Sequence, residues 1–121
     1  MRRPNTNALY MTPEAACVQG ATYLRAAGFD EVWRSELSEA RYFAFPGRTG
    51  VLRLATHGKG GRNAVMPDGP TLASITFARG SAGKDGLLKL TSTEIENVVA
   101  YNVGLYMVRS DRKPLNGGKE K

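Results

Sequence analysis

The apolar and polar positions divide the chain into a helical stretch at each end and a strand-rich middle. Thr12-Pro13-Glu14 reads as a helix start: the threonine hydroxyl accepts a free backbone N–H, proline tolerates the first turn, and the carboxylate faces the positive end of the dipole. Ala16, Tyr23, Leu24 and Ala27 fall near one stripe, and Gly28 suits the left-handed conformation that ends such a segment, so the spacing predicts a helix from Thr12 to about Ala27. Gly20, inside it, permits the close approach of another element. Towards the other end, Leu90, Thr91, Glu94 and Ile95 match a capping box with a hydrophobic staple. Ile95, Val98, Val99, Val103, Tyr106 and Met107 then form a wide apolar stripe that a sheet must bury, ending near Arg109.

Between the helices, two short runs surround Pro46-Gly47-Arg48-Thr49-Gly50, a composition that reverses the chain and predicts a hairpin. Pairing Phe45 with Val51 sets Phe43 across from Arg53, Arg41 across from Ala55 and Glu39 across from His57. One face then holds Ala40, Tyr42, Ala44, Leu52 and Leu54; the other holds Arg41, Phe43, Phe45, Val51, Arg53 and His57, and a slip of one residue rearranges that second set. Residues 57 to 70 contain four glycines and two prolines and read as an exposed loop. Thr71 to Arg79 alternates, with Ala73, Ile75 and Phe77 on one side, and predicts a third strand. Gly80 to Gly86 reads as a second turn, and Leu87 to Leu90 either adds a short strand or leads into the last helix. The expected architecture is α+β, in the order α-β-β-β-α: a small antiparallel three-stranded sheet with both helices on one face. It occupies 12–110 as one domain, between flexible basic tails at 1–11 and 111–121.

At 121 residues and 13.1 kDa, with 41% apolar and 23% charged residues, the chain has the size and balance of a single globular domain. No apolar run approaches the roughly 18 residues that span a membrane, so no membrane partner is expected. The single cysteine, Cys17, excludes an internal disulfide and reads as a buried structural thiol. Neither a cysteine cluster nor a histidine pair is present to hold zinc, and no cofactor is expected. Residues 1 to 11 lack the apolar core of a secretory signal, which makes the cytoplasm the expected compartment.

Charge sharpens the picture. The net charge of +6 divides into +2 over residues 1–11, −2 over 12–33, +5 over 34–89, −2 over 90–108 and +3 over 109–121. The hairpin and the glycine-rich segments are basic and the helices slightly acidic, so the strand-loop side is the expected anion-facing surface, drawn from Arg41, Phe43, Arg48, Arg53, Lys59, Arg62, Arg79 and Lys84. Phe43 and Phe45 beside Arg41 and Arg53 would suit single-stranded nucleic acid, with rings on bases and guanidinium groups on phosphates. The competing reading, which small sheets favour, buries both rings and leaves only the arginine heads in water.

Thr56-His57-Gly58-Lys59-Gly60-Gly61-Arg62 offers backbone N–H groups and two cations to a phosphate, but its spacing is not that of a P-loop. His57, the only histidine, could work as an acid-base group with Glu39, and a lone histidine at a strand end serves more often as a hydrogen-bonding surface residue. Asp30, Glu31, Glu36 and Glu39 form an acidic cluster that reads as a solvated linker rather than a cation site. Trp33 reads as an anchor closing that linker over the core; if exposed, it marks a partner surface.

Ser38, Tyr42 and Val51-Leu52-Arg53-Leu54-Ala55-Thr56-His57, followed by a strand and a helix containing Gly104-Leu105-Tyr106, resemble a pattern of small phage and mobile-element proteins. In that pattern a serine-tyrosine strand precedes a strand of the type Ile-Arg-Ile-Ser-Asp-His, and Ala55 and Thr56 depart from its Ser-Asp. The resemblance implies a phage accessory protein in a bacterial host, a class that includes inhibitors of defence systems such as anti-CRISPR proteins, which act by occupying surfaces and need no catalytic residues. The expected function is therefore non-catalytic binding, through the basic strand-loop surface, of nucleic acid, a nucleoprotein complex or an acidic protein surface. Two other classes stand beside it: a small hydrolase or nuclease using His57 with Glu39, and an oligomerising protein whose second sheet face pairs with another copy.

Overall fold

The computed structural model describes residues 8–35, 40–57, 69–78 and 85–112. Its first element is a strand, β1 (Ala8–Met11), and Thr12 then caps helix α1 (Pro13–Ala26) by accepting the Ala15 N–H at 3.1 Å. Gly28, at φ +104°, turns the chain into β2 (Asp30–Arg34). Strands β3 (Arg41–Ala44), β4 (Val51–Ala55) and β5 (Thr71–Thr76) follow, then β6 (Leu88–Thr91) and helix α2 (Ser92–Arg109). The reciprocal capping box forms: Thr91 Oγ1 accepts the Glu94 N–H at 2.9 Å, and Glu94 Oε1 accepts the Thr91 N–H at 2.7 Å.

The class is α+β, and the sheet departs from the expected three antiparallel strands. Four strands are ordered β2-β3-β4-β5, and β1 pairs with β6 in a separate antiparallel ribbon. Strands β2, β3 and β4 run antiparallel, whereas β5 lies parallel to β4. Parallel neighbours need a crossover of a dozen or more residues, and the 56–70 connection supplies that length. The ordered fold thus includes residues expected to be tail or linker: β1 lies in the first, β2 in the second. At the far end the Thr49 N–H donates to the Asp111 carbonyl at 2.7 Å, and Arg48 bridges to Arg112.

The hairpin forms one residue out of the expected register: Arg41 pairs with Leu54, Tyr42 with Arg53 and Phe43 with Leu52. Phe43, Leu52 and Leu54 consequently share the face under the helices, where Ala16, Ala21, Leu24, Phe29, Ile75, Ile95, Val99 and Tyr106 complete the main core. Gly20 serves this packing: a Cβ there would lie 3.5 Å from Leu54 Cδ1 and Phe77 Cε2, so α1 sits directly on the sheet. Ala40, Tyr42, Ala44, Val51 and Ala55 form a second buried cluster on the opposite face, with Val32 packed against it. The face that a second copy was expected to cover is therefore already buried at those positions within this chain.

Tyr106 locks α2 to the hairpin. Its buried hydroxyl donates to the Gly50 carbonyl at 2.8 Å and accepts the Phe45 N–H at 3.2 Å, and its ring meets Phe29 edge-on at 5.0 Å. Among the described residues no helix is long and apolar enough to cross a membrane.

Candidate functional site

The register decides which basic side chains reach solvent. Phe43 is fully buried, which removes it from the anion-facing set and follows the competing reading that placed it in the core: with Leu52 opposite, its ring lies below α1. Arg53 is also withdrawn, at 6% exposure. Set opposite Tyr42 on the second face, it donates from Nη1 to Ser74 Oγ at 3.3 Å and from Nη2 to the His57 carbonyl at 2.7 Å, tying β4 to β5 and to the end of its own strand. Arg48 is spent on the end of α2, where Nη1 donates to the Met107 carbonyl and to Ser110 Oγ, each at 3.2 Å. Lys59, Arg62, Arg79 and Lys84 lie outside the described residues, as does Glu39. The hairpin register differs by one residue from the one that set Glu39 against His57, and Glu39 itself lies outside the described residues.

Arg41 is the exception. It is partly exposed, and among the described residues its guanidinium has neither an ion pair within 4 Å nor a hydrogen bond within 3.5 Å. The β2–β3 pairing sets it beside Arg34, the Ser35 N–H extends the ladder to the Ala40 carbonyl at 2.8 Å, and the β3–β4 pairing sets it beside Leu54, under the start of α1. There a cleft of about 420 Å³ opens between helix and sheet rim, lined among the described residues by Glu14, Cys17, Val18, Arg34, Ser35, Arg41 and Thr56. Thr56 is 2% exposed, and among the described residues its Oγ1 has no hydrogen-bond partner. Cys17 is buried as expected, and its position on the cleft wall is new.

Just beside the cleft, Glu31 holds two more arginines in place. Its Oε2 accepts Arg34 Nε at 2.7 Å, and its Oε1 accepts Arg34 Nη2 at 3.1 Å and Arg25 Nη2 at 2.9 Å. The Arg34 hydrogen bonds, opposed by partial burial and reinforced by the charges of Arg34 and Arg41, hold the Glu31 carboxyl below the usual glutamate range. Arg34 is correspondingly held more firmly protonated by Glu31. Three guanidinium groups thus gather around one carboxylate at the corner of α1, β2 and β3. The acidic cluster read as a linker is in part this anchor: Asp30 and Glu31 lie in β2, and among the described residues no three acidic, histidine or cysteine groups converge as a metal site.

The charge of the described fold is otherwise balanced, with eight Lys and Arg against seven Asp and Glu, so position rather than total distinguishes this corner. Arg34 and Ser35 were not among the residues expected at the site, and Thr56 was expected only as the first residue of the glycine-rich phosphate loop. The signal for Arg34 was its i,i+3 spacing from Glu31; nothing local announced that Thr56 would be buried without a partner. Trp33, 39% exposed and 5.4 Å from the Tyr42 ring, lies on the sheet edge beside this corner instead of closing over the main core. No family model, curated protein or solved structure matches the chain.

Proposed function

We propose that this is a non-catalytic binding protein that engages nucleic acid or a nucleoprotein complex, with the basic corner of α1, β2 and β3 as its point of contact. The observation that carries the reading is Arg41: among the described residues its guanidinium has no ion pair or hydrogen bond, and it stands beside Arg34 and lines a cleft with a buried hydroxyl that has no partner there. Guanidinium groups that converge on a concave surface attract phosphate oxygens, and the Glu31 ion pair holds Arg34 in place at little entropic cost. On the same edge strand but the opposite sheet face, beside Tyr42, the exposed Trp33 ring offers an aromatic surface for a base. The resemblance to phage accessory proteins extends the reading to an inhibitor acting in a bacterial cytoplasm by occupying a nucleic-acid-binding surface of a host defence complex.

Fluorescence anisotropy with a single-stranded oligonucleotide over a range of salt tests it. Affinity is expected to fall linearly with salt on logarithmic axes, and Arg41→Ala to weaken binding and lower the slope by about 0.7, the share of one phosphate contact on a single strand. Binding indifferent to salt, or unchanged in Arg41→Ala, overturns the proposal.

A further inference from the structure

We infer that the cleft between α1 and the β2–β3 rim is a receptor for a terminal phosphate group, an inference that rests on the anion-engaging reading above and gives it a ligand. Two features converge on the same space. Arg41 brings a cation with no ion pair or hydrogen bond among the described residues, and Arg34, which commits Nε and Nη2 to Glu31, keeps Nη1 for another acceptor. Thr56 brings a hydroxyl that is buried at 2% exposure with no hydrogen-bond partner among the described residues. Buried polar atoms are nearly always satisfied, so an unsatisfied one on a cleft wall points to a ligand that completes it. Glu14 is the only acidic group among the described lining residues, against two guanidinium groups, so the described lining is net positive.

The chemistry favours a phosphate at the end of a molecule over one inside a polymer. Two guanidinium groups and a hydroxyl reward an anion with three free oxygens, which a phosphate monoester presents and an internal diester does not. A volume of about 420 Å³ exceeds what the phosphate itself fills and leaves room for the group that bears it. That bearer is either a 5′-phosphorylated nucleic acid end or a small phosphorylated molecule, and both share the recognised chemistry.

The test titrates the full chain, at constant ionic strength, with inorganic phosphate, with phenyl phosphate, and with a single-stranded oligonucleotide carrying either a 5′-phosphate or a 5′-hydroxyl. Phenyl phosphate is expected to bind saturably at one site, about tenfold or more weakly in Arg41→Ala. Thr56→Val, which keeps the shape and removes the orphaned hydroxyl, is expected to weaken phenyl phosphate binding about tenfold while leaving the melting temperature unchanged or higher; Thr56→Ser is expected to retain affinity. A 5′-phosphate that tightens oligonucleotide binding about tenfold assigns the nucleic acid end. Phenyl phosphate binding without that discrimination supports the receptor and assigns a small molecule. Absence of saturable binding by both phosphate probes, or full affinity in Thr56→Val, overturns the inference. If the two oligonucleotides still bind equally and with salt dependence, the broader nucleic-acid reading survives its loss; phosphate binding without any oligonucleotide binding does the reverse.

Discussion

Replacing Tyr106 by phenylalanine removes a single oxygen atom and should be among the costlier conservative changes in this fold. The hydroxyl donates to the Gly50 carbonyl at 2.8 Å and accepts the Phe45 N–H at 3.2 Å, and it joins the last turn of α2 to both sides of the β3–β4 turn. Tyr106 and Gly50 are buried and Phe45 is partly buried, so water has little access to the two backbone groups left behind. An unsatisfied buried group costs about 1–3 kcal/mol, and Phe45 N–H, nearer to solvent, sits at the low end; together they give about 2–4 kcal/mol. The ring remains, so its edge contact with Phe29 at 5.0 Å is kept and no cavity term enters. For a chain of this length, each kcal/mol lowers the melting temperature by about 4 °C, so Tyr106→Phe should melt roughly 8–16 °C below the parent. Urea denaturation followed by circular dichroism reads the same difference as a shifted midpoint with unchanged slope. A loss under about 0.5 kcal/mol would show that the hydroxyl is not the link between helix and hairpin, and the reasoning fails.

Other perturbations separate structural charges from available ones. Arg48→Ala should cost about 1–2 kcal/mol through the lost bonds to Met107 and Ser110, measured by denaturation, while leaving the salt dependence of oligonucleotide binding unchanged; a lowered slope would return Arg48 to the binding surface. Thr91→Ala, which opens the capping box, should cost about 1 kcal/mol in the same assay, and a neutral result would contradict the cap. Glu31 has a lowered folded pKa, so its contribution to stability is present above the ordinary glutamate value of 4.5 and is lost as pH falls from there through the folded value. The stability difference between the parent and Glu31→Gln should therefore be largest near neutral pH, under about 1 kcal/mol because Arg25 and Arg34 are half exposed, and should shrink in acid. A difference that grows below pH 4.5 contradicts the arginine anchor.

Much of the fold could be read locally because its signals are local. Thr12 and the Thr91–Glu94 pair mark helix starts through bonds spanning three residues, and both helices form where those bonds predict. The hairpin register was not legible, since both faces of β3 and β4 are apolar: Phe43, Leu52 and Leu54 on one side, Tyr42, Val51 and Ala55 on the other. An alternation with two apolar faces gives no preference for either, and a slip of one residue exchanges them. That slip moved Arg53 from an expected surface to a buried crosslink whose partner, Ser74, lies 21 residues away. The direction of β5 depends on the path of the chain between 56 and 70, which no alternation within Thr71–Thr76 records. The candidate site was half visible for the same reason: Arg41 stood out by charge, but its neighbours in the cleft come from α1, the end of β2 and the end of β4, and only the folded register brings them together.

The β1–β6 ribbon joins Ala8 to Thr91, and this sets a timetable for folding at the ribosome. At translation speeds of about 5–20 residues per second, the first strand emerges roughly 4–17 seconds before its mate has been made. Helix α1 and the meander of β2, β3 and β4 can assemble in that interval from neighbours already synthesised. The ribbon closes only once residues 88–91 have been made, so until then β1 waits without its partner strand while β2, β3 and β4 already have theirs.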